Sequence, residues 1–349
     1  MKRYYLVFLI PLLITGCTRK RESPKRIDQE DKFEVLISYI EKHHDFINSP
    51  ESPAAMNAEE VYQKLHENIH IIDVRSAEEY RKGRVPGAVN VPISEIIHYF
   101  EEVIDPSSFD MIFLFSKDHQ ESMFANGVLR MLGYTNTFNI RWGMAGWNSA
   151  YASEAWEEAL SDDLANLLTT KGYPKNEPGD YPVIRSAYSQ GFDILRERSQ
   201  KLLSVDYREL LITAKEVVSA PEKYYLINYW PMKDYKTGHL PNAVQYDQRT
   251  SLKREAYLNT LPTDRTIVLY CYSNSTTPVV AAYLHILGYD VKTIAYGTNG
   301  FMYNELIERI GKSFFSKRVV NDFPIETDEG VIGEPNQEEI KFVAPEGGC

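Results

Sequence analysis

Cys271 is the residue in this 349-residue sequence best placed for chemistry. It follows an apolar run, residues 267–270, and opens the segment Cys271-Tyr272-Ser273-Asn274-Ser275-Thr276, behind which come Thr277 and Pro278. Thr277 suits a helix N-cap and Pro278 a first helical turn, so the pattern predicts a strand, a short loop and a helix start. A sulfur at the head of such a loop faces free backbone N–H groups and the positive end of the helix dipole. A ring of amides holds an anion such as a thiolate. The same field lowers a thiol's pKa from about 8.5, and more thiolate makes a better nucleophile.

The other two cysteines stand in different settings. Cys17 closes Ile14-Thr15-Gly16-Cys17, behind Lys2, Arg3 and the apolar run 4–14. That run is too short to span a bilayer as a mature helix and reads as an export signal. Its end resembles the lipobox of bacterial lipoproteins, in which the cysteine becomes the lipidated first residue. The polar stretch 18–31 then suits a tether off a membrane surface. This resemblance implies a bacterial cell-envelope protein, lipid-anchored at Cys17, and Thr18 points to the outer membrane, facing the periplasm. Cys349 ends the chain behind Gly347 and Gly348, an arrangement that makes an accessory thiol able to exchange with Cys271 one reading and an inconsequential surface thiol the other. Three cysteines without a CxxC pair or a Cys/His cluster suggest neither a disulfide framework nor a metal site, and nothing calls for a cofactor. A net charge of −11 argues against nucleic acid as a partner.

The elements that must position Cys271 are found through an internal repeat. Ile71-Ile72-Asp73-Val74-Arg75 matches Leu226-Ile227-Asn228-Tyr229-Trp230, Tyr80 matches Tyr235, and Gly83 matches Gly238. Leu132-Gly133-Tyr134 likewise matches Leu287-Gly288-Tyr289, and every pair is 155 positions apart. Trp142-Gly143 against Tyr296-Gly297 shifts the offset by one residue, to 154. So constant a register means two copies of one structural unit. Apolar runs at 71–74, 112–115, 225–229 and 267–270 read as buried strands, with helix-period stretches at 122–132 and 277–287. The fold class is therefore α/β, with two domains that are each a mostly parallel sheet flanked by helices. The expected organisation is a signal peptide over 1–16, a tether and N-terminal helix over 17–54, and domain one over 55–150. A linker over 151–204, domain two over 205–311 and a flexible tail over 312–349 follow. The linker is expected to be a surface loop plus a helix over 187–203.

Both copies resemble rhodanese-like domains, in their IDVR-like strand end, their G-H-x-P-G-A-like turn, and their strand–loop–helix ending in Leu-Gly-Tyr. The resemblance covers about two-thirds of the chain and implies a sulfurtransferase, with Cys271 as the catalytic residue and Tyr272, Ser273, Asn274, Ser275 and Thr276 as the substrate-binding loop. It implies a small sulfur donor such as thiosulfate and a thiol or cyanide acceptor. Copy one has Ser116 at the position of Cys271, and a hydroxyl cannot form a persulfide, so domain one is expected to be inactive. His119 lies nearby without a paired acid, and Asp118 and Glu121 put negative charge where an anion would sit. Copy two departs from the family pattern at Asn228, Trp230, Asn242 and Asn274, and its loop holds no cation. A non-catalytic binding or scaffolding lipoprotein is the competing reading. A related phosphatase fold needs a Cys-x5-Arg loop, and Thr277 in place of that arginine argues against phosphoryl transfer.

Overall fold

The runs Met111–Phe115 and Thr266–Tyr270 are apolar on both faces, as strands covered by helices on either side must be. In the computed structural model, which describes residues 29–333 apart from His44, they are the central strands of two five-stranded parallel sheets. Sheet one contains β1 (Ala55–Met56), β2 (Ile69–Asp73), β3 (Val89–Asn90), β4 (Met111–Phe115) and β5 (Thr137–Ile140), in the order β1-β5-β4-β2-β3. Sheet two contains β6 (Leu211–Ile212), β7 (Tyr224–Asn228), β8 (Val244–Gln245), β9 (Thr266–Tyr270) and β10 (Val291–Ile294), in the equivalent order β6-β10-β9-β7-β8. The register repeats as well: Asp73 pairs with Phe115 in one sheet and Asn228 with Tyr270 in the other. The doubled α/β unit predicted by the constant offset is present.

Four longer helices hold the two units together: α1 (Gln29–Lys42), α2 (Gln120–Met131), α3 (Gly191–Leu203) and α4 (Thr277–Ile286). α2 leaves β4 and α4 leaves β9, so they are equivalent elements, and they pack directly against each other. Small residues permit the approach: a Cβ on Gly127 would lie 3.1 Å from the Val279 Cα. Both helices are buried on nearly every side, consistent with their weakly amphipathic sequences. α1 lies against α3, and Phe33, Ile37, Ile194 and Leu203 join a core continuous with the facing sides of both sheets.

Two segments differ from the sequence-based expectation. Residues 151–204 include α3, but the part before it is more than a surface loop: Trp156 is fully buried and stacks on Phe315, with ring centres 5.4 Å apart. Thr169 bridges to His239, so this stretch straps domain two. The supposed flexible tail also packs, through residue 333. It returns to domain one, where Phe323 stacks on Tyr62 at 4.1 Å and Trp147 Nε1 donates to the Pro324 carbonyl at 2.9 Å. Arg84 pairs with Glu326 at 2.7 Å, and a hairpin of β11 (Ile325–Thr327) and β12 (Gly330–Ile332) ends the described chain. Its few apolar residues are buried one at a time in an extended path, which leaves no period to detect. The signal, Cys17 and Cys349 lie outside the described residues. No described helix is long and apolar enough to cross a membrane.

Removing residues 317–349 should lower the urea stability of domain one by about 2 kcal/mol, from the lost burial of Phe323 and Ile325. An unchanged midpoint would show that the tail adds nothing.

Candidate active site

Cys271 immediately follows β9, and α4 begins six residues later at Thr277. The residue at the N-cap is Thr276, not Thr277, so the helix starts one position earlier than the cap reading places it. Thr276 makes no capping bond, and its buried hydroxyl has no partner among the described residues. Thr277 turns inward: its hydroxyl donates to Asn274 Oδ1 at 2.5 Å and lies 3.6 Å from Cys271 Sγ. Pro278 lacks an N–H, and Val280 makes the first helical bond, to the Thr276 carbonyl at 3.1 Å. The N–H groups of Thr277 and Val279 thus open the helix without intrahelical acceptors.

The loop's path is set from behind by the turn after β10. Gly297 has φ +57°, and a Cβ there would come within 2.5 Å of the Cys271 carbonyl oxygen. Thr298 N–H donates to the Cys271 and Tyr272 carbonyls at 3.1 and 2.9 Å, and Asn299 Nδ2 donates to Tyr272 at 2.9 Å. Asn274 sits at φ +55°, a left-handed conformation that asparagine tolerates better than most residues. Tyr272 stacks on Trp230 at 4.7 Å, donates its hydroxyl to Asp234 at 2.5 Å, and lies under the Lys312 ammonium. Burial alone would raise the Asp234 carboxyl, but its bonds from Tyr272 and Lys312 hold it below the usual carboxylate range. Cys271 and the five loop residues after it are between 0 and 2% exposed, so a donor reaches the sulfur only if something moves.

Domain one repeats this geometry around Ser116. Gly143, at φ +60°, presses on the Ser116 carbonyl, and Met144 N–H donates to it at 3.0 Å. Ser122 stands where Thr277 stands in domain two, and Ser116 Oγ donates to Ser122 Oγ at 3.2 Å. His119 does not serve Ser116. Its Nδ1 accepts from the Trp142 backbone N–H at 2.9 Å, so Nε2 carries the proton and faces the Ser273 carbonyl, 3.1 Å away in the other domain. Burial pushes the His119 pKa down to about 3, so the ring is neutral. Gln120 also crosses: its Oε1 accepts from Asn274 Nδ2 at 2.7 Å and from Tyr296 N–H at 2.8 Å. Burial, with Asp118 adding to it, raises Glu121 to about 7, so the negative charge expected near Ser116 is partly neutralised.

The sequence reading names Cys271 and its loop, and these form one cluster. It missed Gln120, the contact of His119 with the other domain, the Trp230–Tyr272 stack and the Asp234–Lys312 pair, all fixed by contacts between distant segments. Trp230 had a visible signal. Arg75, at the equivalent position, pairs with Asp73 at 2.5 Å, and domain two replaces both partners, with Asn228 and Trp230. Losing both avoids a lone buried charge. Among the described residues no group of three or more His, Cys, Asp or Glu is arranged to hold a metal.

The family model for the rhodanese-like domain matches residues 57–150 and 213–304, more than half of the chain. The chain belongs to the rhodanese-like domain family. Its second rhodanese-like domain holds Cys271 and its first holds Ser116. A 122-residue stretch, 34% of the chain, is 28% identical to the putative sulfur carrier protein YrkF of Bacillus subtilis. The chain spans 64% of the length of that curated relative. Among solved structures, the thiosulfate sulfurtransferase of Pseudomonas aeruginosa is similar at 18% identity over 78% of this chain and 67% of its own, with a TM-score of 0.26. A human single-domain sulfurtransferase, TSTD1, is 25% identical over 26% of this chain and 90% of its own, with a TM-score of 0.23.

The interdomain role of His119 has a pH signature. Its folded pKa lies below the unfolded value of 6.5, so its contribution is complete above pH 6.5 and is lost as pH falls toward about 3. Glu121 acts in the opposite sense, contributing below its ordinary value of 4.5 and losing that as pH rises to about 7. The informative quantity is therefore the difference between two chains that both retain Glu121. His119→Gln should be less stable at pH 7 yet lose stability less steeply between pH 6.5 and 4, by up to about 1.4 kcal/mol per pH unit. Parallel urea-stability profiles would refute the assignment.

Proposed function

We propose that the second rhodanese-like domain is a sulfurtransferase that carries sulfane sulfur as a persulfide on Cys271. The observation that carries this reading is the position of Cys271 at the head of the loop between β9 and α4, facing the start of that helix. The Cys271 thiolate attacks the outer sulfur of a donor such as thiosulfate. The donor S–S bond breaks, sulfite leaves with the electron pair, and Cys271 holds the outer sulfur. A thiolate or cyanide acceptor then attacks that sulfur, and Cys271 leaves as the thiolate. The unpartnered Thr276 hydroxyl is available to donate to the persulfide. The description of the Bacillus subtilis relative as a putative sulfur carrier protein supports sulfur transport through such an intermediate.

The loop 271–276 contains no lysine or arginine, so an anionic donor meets backbone dipoles without a side-chain cation. Thiosulfate should therefore be a slow donor, and a less charged persulfide or polysulfide a faster one. Domain one, with Ser116, serves in structure or regulation. A non-catalytic binding role is favoured by a single observation, the complete burial of Cys271. The sequence around Cys17 further supports an amino-terminal lipid that holds the chain at the bacterial cell envelope.

Mass spectrometry of the chain after exposure to thiosulfate or a polysulfide should find one added sulfur on the peptide containing Cys271. Cys271→Ser should remove it and abolish transfer to an acceptor thiol; equal transfer by parent and variant would refute the enzymatic reading. A labelled fatty acid should be incorporated in the parent expressed in a bacterium and not in Cys17→Ala. Equal labelling would remove the lipid anchor.

A further inference from the structure

We infer that domain one sets the protonation of the domain-two nucleophile through a directed hydrogen-bond chain, in which Gln120 and Asn274 act as positioning residues for Cys271. This rests on Cys271 being the nucleophile, and it assigns to the sulfur-free domain a part in the reaction.

The direction of the chain follows from one fixed donor. The backbone N–H of Tyr296 donates to Gln120 at 2.8 Å, so the atom it meets must be Oε1. Gln120 Nε2 then faces Asp118 Oδ2 at 2.7 Å, where a donor is required. Asn274 also meets Gln120 Oε1, at 2.7 Å, and must present Nδ2. Its Oδ1 is thereby turned to Thr277, which gives it its only hydroxyl proton at 2.5 Å. Thr277 Oγ1 is left with lone pairs alone toward Cys271 Sγ, 3.6 Å away. At this one contact the arrangement favours the thiol, whose S–H meets the Thr277 oxygen as acceptor, over the thiolate, which meets the Thr277 lone pairs.

To form the thiolate, the Cys271 proton leaves to water and Thr277 rotates its own proton from Asn274 onto Sγ. While Gln120 holds Asn274, that rotation sets Asn274 Oδ1 against the Thr277 lone pairs. Once the contact is released, only the long 3.3 Å bond from Asn274 Nδ2 to Thr293 Oγ1 still holds the amide; when the amide turns over it gives up that bond, presents Nδ2 to Thr277, and the hydroxyl solvates the thiolate without conflict. Gln120, His119 and the loop 271–276 are all buried, and the loop meets domain one through Ser273 and Asn274. A motion that parts the two domains at this contact separates Gln120 from Asn274, so opening there and activation are coupled.

Other titratable groups surround the loop. Within domain two they are the Tyr229 and Tyr270 phenols, Arg249 beside Tyr229, and Asp234 with Lys312 at Tyr272. Tyr296 joins them from the turn after β10 and the buried Tyr207 phenol, beside Asn274 and Thr293, from the segment before β6; domain one adds Asp118, His119 and Glu121. The variants below keep every one of these residues, but Gln120→Leu also removes the bond to Asp118 and Asn274→Gly a neighbour of Tyr207, so the chain is assigned only by a shift that both variants share.

The test is the pH dependence of alkylation by iodoacetamide in the full-length chain, with modification of the Cys271 peptide followed by mass spectrometry. Asn274→Gly suits the left-handed backbone and removes the amide; Gln120→Leu keeps the side-chain volume and breaks the link from the other side. Each should shift the reaction midpoint down by about one pH unit, or about tenfold in thiolate at a fixed pH below it. In the Asn274→Gly/Thr277→Val double variant the shift should vanish, because the hydroxyl that solvates the thiolate is gone. A rate increase that is uniform across pH would report opening alone and overturn the chain. So would an equal midpoint shift in the absence of the Thr277 hydroxyl. Alkylation requires no sulfur transfer, so failure here leaves the persulfide assay standing, and failure of that assay leaves this result interpretable.

Discussion

The packing of α2 against α4 is the contact on which the rest of the structure depends. The two helices are the same element in the two repeats, and each follows the central strand of its sheet. Once they meet along small residues such as Gly127, the loops at their heads meet too: loop two is buried throughout, and loop one buries Ser116, His119 and Gln120. Burial then dictates chemistry. Every polar group at the contact requires a partner, and the loop of one domain supplies partners for the other through His119 to Ser273 and Gln120 to Asn274. With Ser116 in place of a cysteine, loop one is free of sulfur chemistry and can carry residues that serve its neighbour.

The same constraint accounts for the neutral character of the site. A charged pair such as Asp73 with Arg75 is held in domain one by a bidentate contact and by the Gly83 carbonyl. Domain two has an uncharged amide and an indole in those positions, and Trp230 packs on the loop residue Tyr272. Removing both charges together avoids the desolvation penalty of a lone ion and leaves an aromatic wall beside Cys271. The tail contributes from a third direction, because Lys312 ties Asp234 and Tyr272 together before the chain crosses to domain one.

Much of this was legible in the sequence, and the rest was absent for physical reasons. The 155-residue offset fixes two α/β units, their central strands, and Cys271 against Ser116, because periodicity and spacing are local properties. Thr276 and Thr277 are adjacent hydroxyl residues, so which one caps the helix depends on the backbone and not on residue type. His119 and Gln120 look like polar residues at the start of a helix. Their partners lie 154 to 176 positions away, and no local pattern encodes such a pairing. The tail gave the reverse error: Phe315, Phe323 and Ile325 show no period, yet Phe315 packs in one apolar cluster and Phe323 and Ile325 in another.

The central claim is that Cys271 is a carrier through which sulfur passes, and a single-turnover pulse-chase with outer-labelled sulfur-35 thiosulfate tests it most directly. The account predicts that label appears first on the Cys271 peptide and leaves it at the rate at which an added thiol becomes labelled. Label that reaches the acceptor without residing on Cys271, or resides only on Cys17 or Cys349, would contradict it.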